Sequence, residues 1–176
     1  MAVHEFCVVA TGLDPTADNY ESRFYEAGCD DATISFQRSR VIVDFSREAT
    51  SVEEAIASAI DGVVAAGARV ERIEPDSLVS LSDIASRSGL SRAAITQYSK
   101  AQRGKGFPAP VAKVTSDSPL WDWADVAAWL FRHDRLPREA LTAAEVVKRA
   151  NDILGAGGIP TLDTLRQRRS VLEPAA

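Results

Sequence analysis

Residues 82–100 read SDIASRSGLSRAAITQYSK, two short helical patterns joined at Gly89. Two helices that cross steeply need a small residue in the first where the second packs, a turn residue that tolerates φ > 0, and an apolar anchor in the second. Ala85, Gly89 and Ile95 stand at those three places, and the spacing predicts a helix-turn-helix. With Ile95 and Tyr98 turned toward the first helix, helical periodicity puts Ser91, Arg92, Thr96, Gln97 and Lys100 on the solvent side, while Ala93 leaves room for close approach.

The flanking sequence extends this unit. FPAPVAKV and then PLW read as two short strands, a wing, before Asp122 opens a third helix with Val126, Trp129 and Leu130 inward. The glycines at 104 and 106 are expected to let the backbone come near phosphates. Upstream, HEFCVVATGL reads as a strand, Asp18 with Glu21 as a helix start, and ATISFQRS with RVIVDFS as a period-two hairpin. Ser51 with Glu54 reads as a capping box for a second helix, and ARVERIEP as a last strand. The order β-α-β-β-α-β predicts a ferredoxin-like domain, giving an α+β chain overall. Downstream, Thr142 with Glu145 predicts the start of another helix, GAGG at 155–158 a break, and TLDTLRQRRSVL a short basic amphipathic piece. The expected domains are 1–76, acidic and ferredoxin-like; 77–135, winged helix-turn-helix; and 136–176, a helical tail.

Charge follows this division. The chain has a formal net charge of -5, but residues 1–76 hold six Lys/Arg against fifteen Asp/Glu, whereas residues 77–135 hold eight against five. A basic segment inside an acidic chain points to a polyanionic partner for that segment alone.

Residues 78–131 resemble the winged helix-turn-helix of the MerR and excisionase (AlpA-like) DNA-binding families. The resemblance rests on LSDIASRSGLSRAAI, a basic connection, FPAPV, and W-x3-DVAAWL from Trp121 to Leu130. The whole chain also resembles actinobacterial proteins known only as helix-turn-helix DNA-binding proteins. The resemblance implies sequence-specific binding of double-stranded DNA and a role in transcription regulation. On that reading the helix at 91–100 enters the major groove, Arg92 bonds guanine, Gln97 bonds adenine, and Ser91 and Lys100 meet phosphate. Arg103, Lys105 and Lys113 surround the wing. Its tip reads TSDSP with Asp117 where the family carries basic residues, which limits the wing to backbone contact. One such helix covers few base pairs, so a homodimer is expected, through the N-terminal sheet or the helix at 142–154. The N-terminal domain could also hold a small ligand or a protein partner; the alternative reading is an antitoxin-like or phage-derived adaptor that binds a partner protein there.

No catalytic, cofactor or metal site is expected. Cys7 and Cys29 fit no zinc or redox spacing and read as buried free thiols. His4 and His133 stand near no nucleophile. The paired carboxylates Asp30–Asp31 and Glu53–Glu54 read as a turn and a helix first turn, and Trp121, Trp129 and Tyr98 as core, with Trp123 left open. No run approaches the roughly 20 apolar residues that span a bilayer, and a cytoplasmic protein is expected.

Overall fold

The computed structural model describes residues 1–167. They divide into two compact units, Met1–Glu74 together with the chain from Arg149, and Pro75–Lys148. Of the expected helical tail, residues 136–148 fall in the second unit and 149–167 in the first. The structure is mixed α+β, with a four-stranded antiparallel sheet, a two-stranded sheet and seven helices among the described residues. None of these helices is long and apolar enough to cross a membrane.

The first unit runs β1 (Ala2–Thr11), α1 (Tyr20–Glu26), β2 (Ala32–Gln37), β3 (Arg40–Ala49), α2 (Val52–Ala65), β4 (Arg69–Glu74). Its strands lie in the order β2-β3-β1-β4. The registers Val8↔Val43, Phe6↔Phe45 and Ile34↔Val43 bring the apolar phase of each strand to one face. There Val8, Val41 and Val43 are fully buried with Ile56, Ile60 and Val63 of α2 and Phe24 of α1. The β2–β3 turn is two residues, Arg38 and Ser39, at φ 51° and 62°, the conformation whose twist matches a tight hairpin.

Three helix starts differ from expectation. Asn19, not Asp18, precedes α1 and makes no side-chain cap; the approach is instead a turn in which the Asp14 carboxylate accepts from the Thr16 N–H and hydroxyl at 2.9 and 2.7 Å. Ser51 caps α2 by accepting from the Glu54 N–H at 3.2 Å, but the Glu54 carboxylate turns to the N–H and hydroxyl of Thr50, not to Ser51. Thr142 lies inside a helix that begins earlier, its hydroxyl donating to the Arg138 carbonyl at 3.0 Å.

The second unit runs β5 (Leu78–Val79), α3 (Leu81–Ser88), α4 (Arg92–Ser99), β6 (Trp121–Asp122), α5 (Trp123–Arg132), and most of α6 (Arg138–Gly155). Val79, Ile84, Ile95, Val126 and Leu130 are fully buried, joined by Tyr98, Trp121 and Trp129. Ser80 and Asp83 form a reciprocal capping box on α3, an S-x-x-D variant in which aspartate takes the place of the usual glutamate or glutamine. The two expected wing strands are reduced to one bridge, Ala112↔Leu120, while Trp121–Asp122 pairs with β5. Pro108 and Pro110 remove ladder donors from the first of them.

Returning to the first unit, Gly157 at φ 84° ends α6, the Gly158 N–H donating to the Ile153 carbonyl at 2.9 Å. The last helix, α7 (Leu162–Arg166), starts at a Thr161–Thr164 box and buries Leu165 completely. The Arg149 guanidinium donates to the Leu165 carbonyl. The remainder of the expected basic amphipathic piece lies outside the described residues.

Candidate nucleic-acid interface

Three residues, Gly89 to Ser91, connect α3 and α4. Gly89 closes α3 at φ 69°, and no atom lies within 4 Å of where its Cβ would stand. Backbone conformation, not crowding, therefore demands glycine. The Ser91 hydroxyl caps α4, accepting from the Ala94 N–H at 3.1 Å, and its own proton stays available to another acceptor. Ile95 and Tyr98 are buried, so α4 presents Arg92, Ala93, Gln97 and Lys100 to solvent. Thr96 is only half-exposed and donates its hydroxyl proton to the Arg92 carbonyl at 2.9 Å. The Arg92 guanidinium donates to the Ser82 hydroxyl at the start of α3. Ser82 carried no sequence signal for this role beyond its place in the motif.

Beyond Lys100 the chain folds back on the helix. The N–H groups of Gln102 and Arg103 both donate to the Gln97 carbonyl, at 2.9 and 3.3 Å. The Arg103 guanidinium lies over the Tyr98 ring, 5.5 Å from its centroid. Two indoles then fix the connection: Trp129 Nε1 donates to the Lys105 carbonyl at 2.9 Å and Trp121 Nε1 to the Pro108 carbonyl at 3.0 Å. Phe107 stands edge-on to Trp129 at 5.1 Å. The two glycines differ in what a side chain would meet. A Cβ on Gly104 would stand 2.9 Å from Trp129 Cζ2, so this glycine serves core packing; Gly106, at φ 73°, is open on every side.

The structure thus brings Ser91, Arg92, Ala93, Thr96, Gln97 and Lys100 onto one helix, sets Arg103 against its end, and holds Lys105 by its backbone. Lys113 stands apart in the hairpin turn at φ 49°, exposed, its carbonyl accepting from the Ser116 N–H. Between residues 92 and 113 the chain carries five Lys/Arg and no Asp or Glu, and all five cations are exposed.

Neighbouring charges are otherwise engaged. Asp83 is held below the usual carboxylate range by hydrogen bonds from Ser80, and its attachment there keeps it at the start of α3. Arg87 is a structural cation: it donates to the Asp76 carbonyl at 2.8 Å, lies over Trp123 at 5.4 Å, and burial lowers its pKa. Asp122 caps α5 and pairs with Lys148.

Cys7 and Cys29 are free. Burial and the nearby Asp44 push the Cys7 thiol up to about 12, and burial raises Cys29 as well, which suppresses thiolate nucleophilicity at neutral pH. Among the described residues no three His, Cys, Asp or Glu are grouped so as to hold a metal ion. Comparison of the chain with family models, with curated proteins and with solved structures found no match.

Proposed function

We propose that the protein binds double-stranded DNA in a sequence-specific manner, with α4 as the recognition helix of a winged helix-turn-helix on Pro75–Lys148, and acts as a dimeric transcription regulator. The observation that carries this reading is the run of five exposed cations and no acid between residues 92 and 113, which begins on α4, whose opposite face is anchored by Ile95 and Tyr98, and continues through the connection that follows it. Arg92 and Gln97 can each make two parallel hydrogen bonds to a base edge in the major groove, while Lys100, Arg103 and Lys105 supply phosphate contacts. Lys113 and the Asp117-bearing turn contribute less. The single bridge of the hairpin and its short reach fit contact with the backbone rather than insertion into a groove. The first unit, with its β-α-β-β-α-β order and central β1 and β3 strands, is read as a ferredoxin-like module that adds an acidic body to the basic reader. Two protomers on half-sites about 34–36 Å apart would give the specificity one helix lacks.

Selection of bound sequences from random DNA tests the reading, with wild type, Arg92→Ala and Gln97→Ala compared. Each substitution should cost about 1–3 kcal/mol and relax preference at one base position. Lys105→Ala should weaken all sequences alike and flatten the salt dependence by about one phosphate contact. No enriched sequence for folded wild-type protein at low salt would refute the proposal.

A further inference from the structure

The four-stranded sheet has two edges, and they are finished differently. At the β4 edge, the Asn151 side chain occupies the outward backbone groups of Ile73: its Oδ1 accepts from the Ile73 N–H at 2.7 Å and its Nδ2 donates to the Ile73 carbonyl at 2.9 Å. The strand itself, RVERIE, holds four charged residues in six, and a register shift interrupts its pairing with β1. Charge, irregular pairing and a covering side chain are the means by which a sheet edge is kept from adding another strand.

The β2 edge has none of these. Its sequence, ATISFQ, has no charge, no proline and no glycine, and among the described residues it pairs only with β3. The Ser46 N–H donates to the Asp31 carbonyl at 3.1 Å. By the alternation of an antiparallel ladder, Thr33, Ser35 and Gln37 then bond β3, and the N–H and C=O groups of Ala32, Ile34 and Phe36 point outward. Between this edge and α1 lies an open groove of about 530 Å³ whose wall includes Tyr25, Ile34, Glu21, Glu26 and Asp30. Tyr25 is 70 % exposed and Phe36, on the same strand, 45 %. The groove therefore offers a bare hydrogen-bonding edge, apolar surface, and three carboxylates with no basic residue on its wall.

We infer that the β2 edge takes an extended peptide segment of a partner protein as a fifth strand, with Lys or Arg at alternate positions reaching Glu21, Glu26 and Asp30 and an apolar residue set against Ile34 and Phe36. The charge pattern selects this occupant over a second copy of the chain, whose own three carboxylates would be carried to the same edge. This surface is separate from the proposed DNA contacts and does not rest on them.

The test presents the full chain, immobilised, to a display library of random ten-residue peptides. Enriched peptides should alternate, with Lys or Arg on one face. A synthetic copy of the strongest should slow hydrogen exchange at the Ile34 and Phe36 amides. Phe36→Pro removes an outward N–H without touching the β3 ladder, and Glu21→Lys with Glu26→Lys reverses the groove charge on an exposed helix face; each should lower affinity at least tenfold while far-UV circular dichroism is unchanged. Should Phe36→Pro unfold the unit, the charge-reversed variant carries the test alone. The inference is overturned by an absence of enrichment, by peptides without basic residues, by binding indifferent to the charge reversal, or by a concentration-dependent homodimer that protects the same two amides.

Discussion

The unit of residues 1–74 holds the turn before β2 with a buried cation, whereas Pro75–Lys148 holds the connection after α4 with indole rings. In the first, Arg47 is 8 % exposed and donates to both Asp31 carboxylate oxygens at 2.8 and 2.7 Å, to the Gly28 carbonyl at 2.6 Å and to the Ser58 hydroxyl at 3.1 Å. Its guanidinium also stands 4.7 Å from the Phe45 ring centroid. In the second, two tryptophans do the equivalent work through neutral N–H groups. An ion pair is directional and depends on pH; an aromatic clamp gains most of its strength from buried area and depends on shape. The two solutions can be read apart, because all three tryptophans lie in the second unit and both cysteines in the first.

Breaking the aromatic side should have the largest effect. Trp129 is 2 % exposed and touches Tyr98, Phe107 and His133, so Trp129→Ala should destabilise the second unit by about 3–5 kcal/mol. Trp129→Phe keeps a ring but leaves the Lys105 carbonyl without its donor, a loss of about 1 kcal/mol. Denaturation followed by emission of the remaining tryptophans measures both. Reaction of the buried Cys29 thiol reports the other unit and should be unchanged; if it accelerates in parallel, the two units do not open independently.

Breaking the ionic side comes next. Arg47→Met leaves Asp31 unpaired, and because that carboxylate is 30 % exposed the cost falls to about 2–4 kcal/mol, below that of a fully buried pair. The pH dependence has a definite sign. Hydrogen bonds from Arg47 hold the Asp31 carboxyl below its ordinary value, so its contribution is complete above the unfolded value near pH 4 and is lost as pH falls through the lower folded value. Cys29 protection in wild type should therefore weaken over that acid range, and Arg47→Met should remove this part of the dependence. An equally steep acid limb in the variant would assign it to other carboxylates.

Much of this contrast was legible in the sequence, though unevenly. Strand alternation, the Ser51 cap, the Gly89 turn and the inward stripe of α5 are local signals, set by neighbours a few residues away, and they marked β1 to β4, α3 and α4, whereas the two-residue strand β5 carries no such signal. The Arg47–Asp31 pair joins residues 16 apart, and each charge alone resembles a solvated surface. A signal was nonetheless present: Arg47 shares the inward phase of Val41, Val43, Phe45 and Ala49, and a charge in that phase must find a partner. The Asn151 cover on β4 joins residues 78 apart and leaves no such trace. In the candidate interface the exposed face of α4 followed from helical periodicity, but the indole partners depend on tertiary approach, and two prolines reduced the expected strands to a bridge.

The smallest effect separates two glycines that look alike in sequence. Gly104 and Gly106 both hold left-handed backbone, at φ 70° and 73°, so alanine imposes a similar conformational cost of about 1–2 kcal/mol at either place. Only at Gly104 does the added methyl also meet Trp129, at 2.9 Å from Cζ2 and 3.1 Å from Cη2. The ring belongs to a packed cluster with Tyr98 at 4.9 Å and His133 at 3.9 Å, so it has little room to give. Gly104→Ala should cost about 1–2 kcal/mol more than Gly106→Ala and shift the tryptophan emission, which Gly106→Ala should leave in place. Equal costs would mean that the ring moves freely and that the Nε1 bond to Lys105, rather than the fit of ring to backbone, holds the cationic connection beside α4.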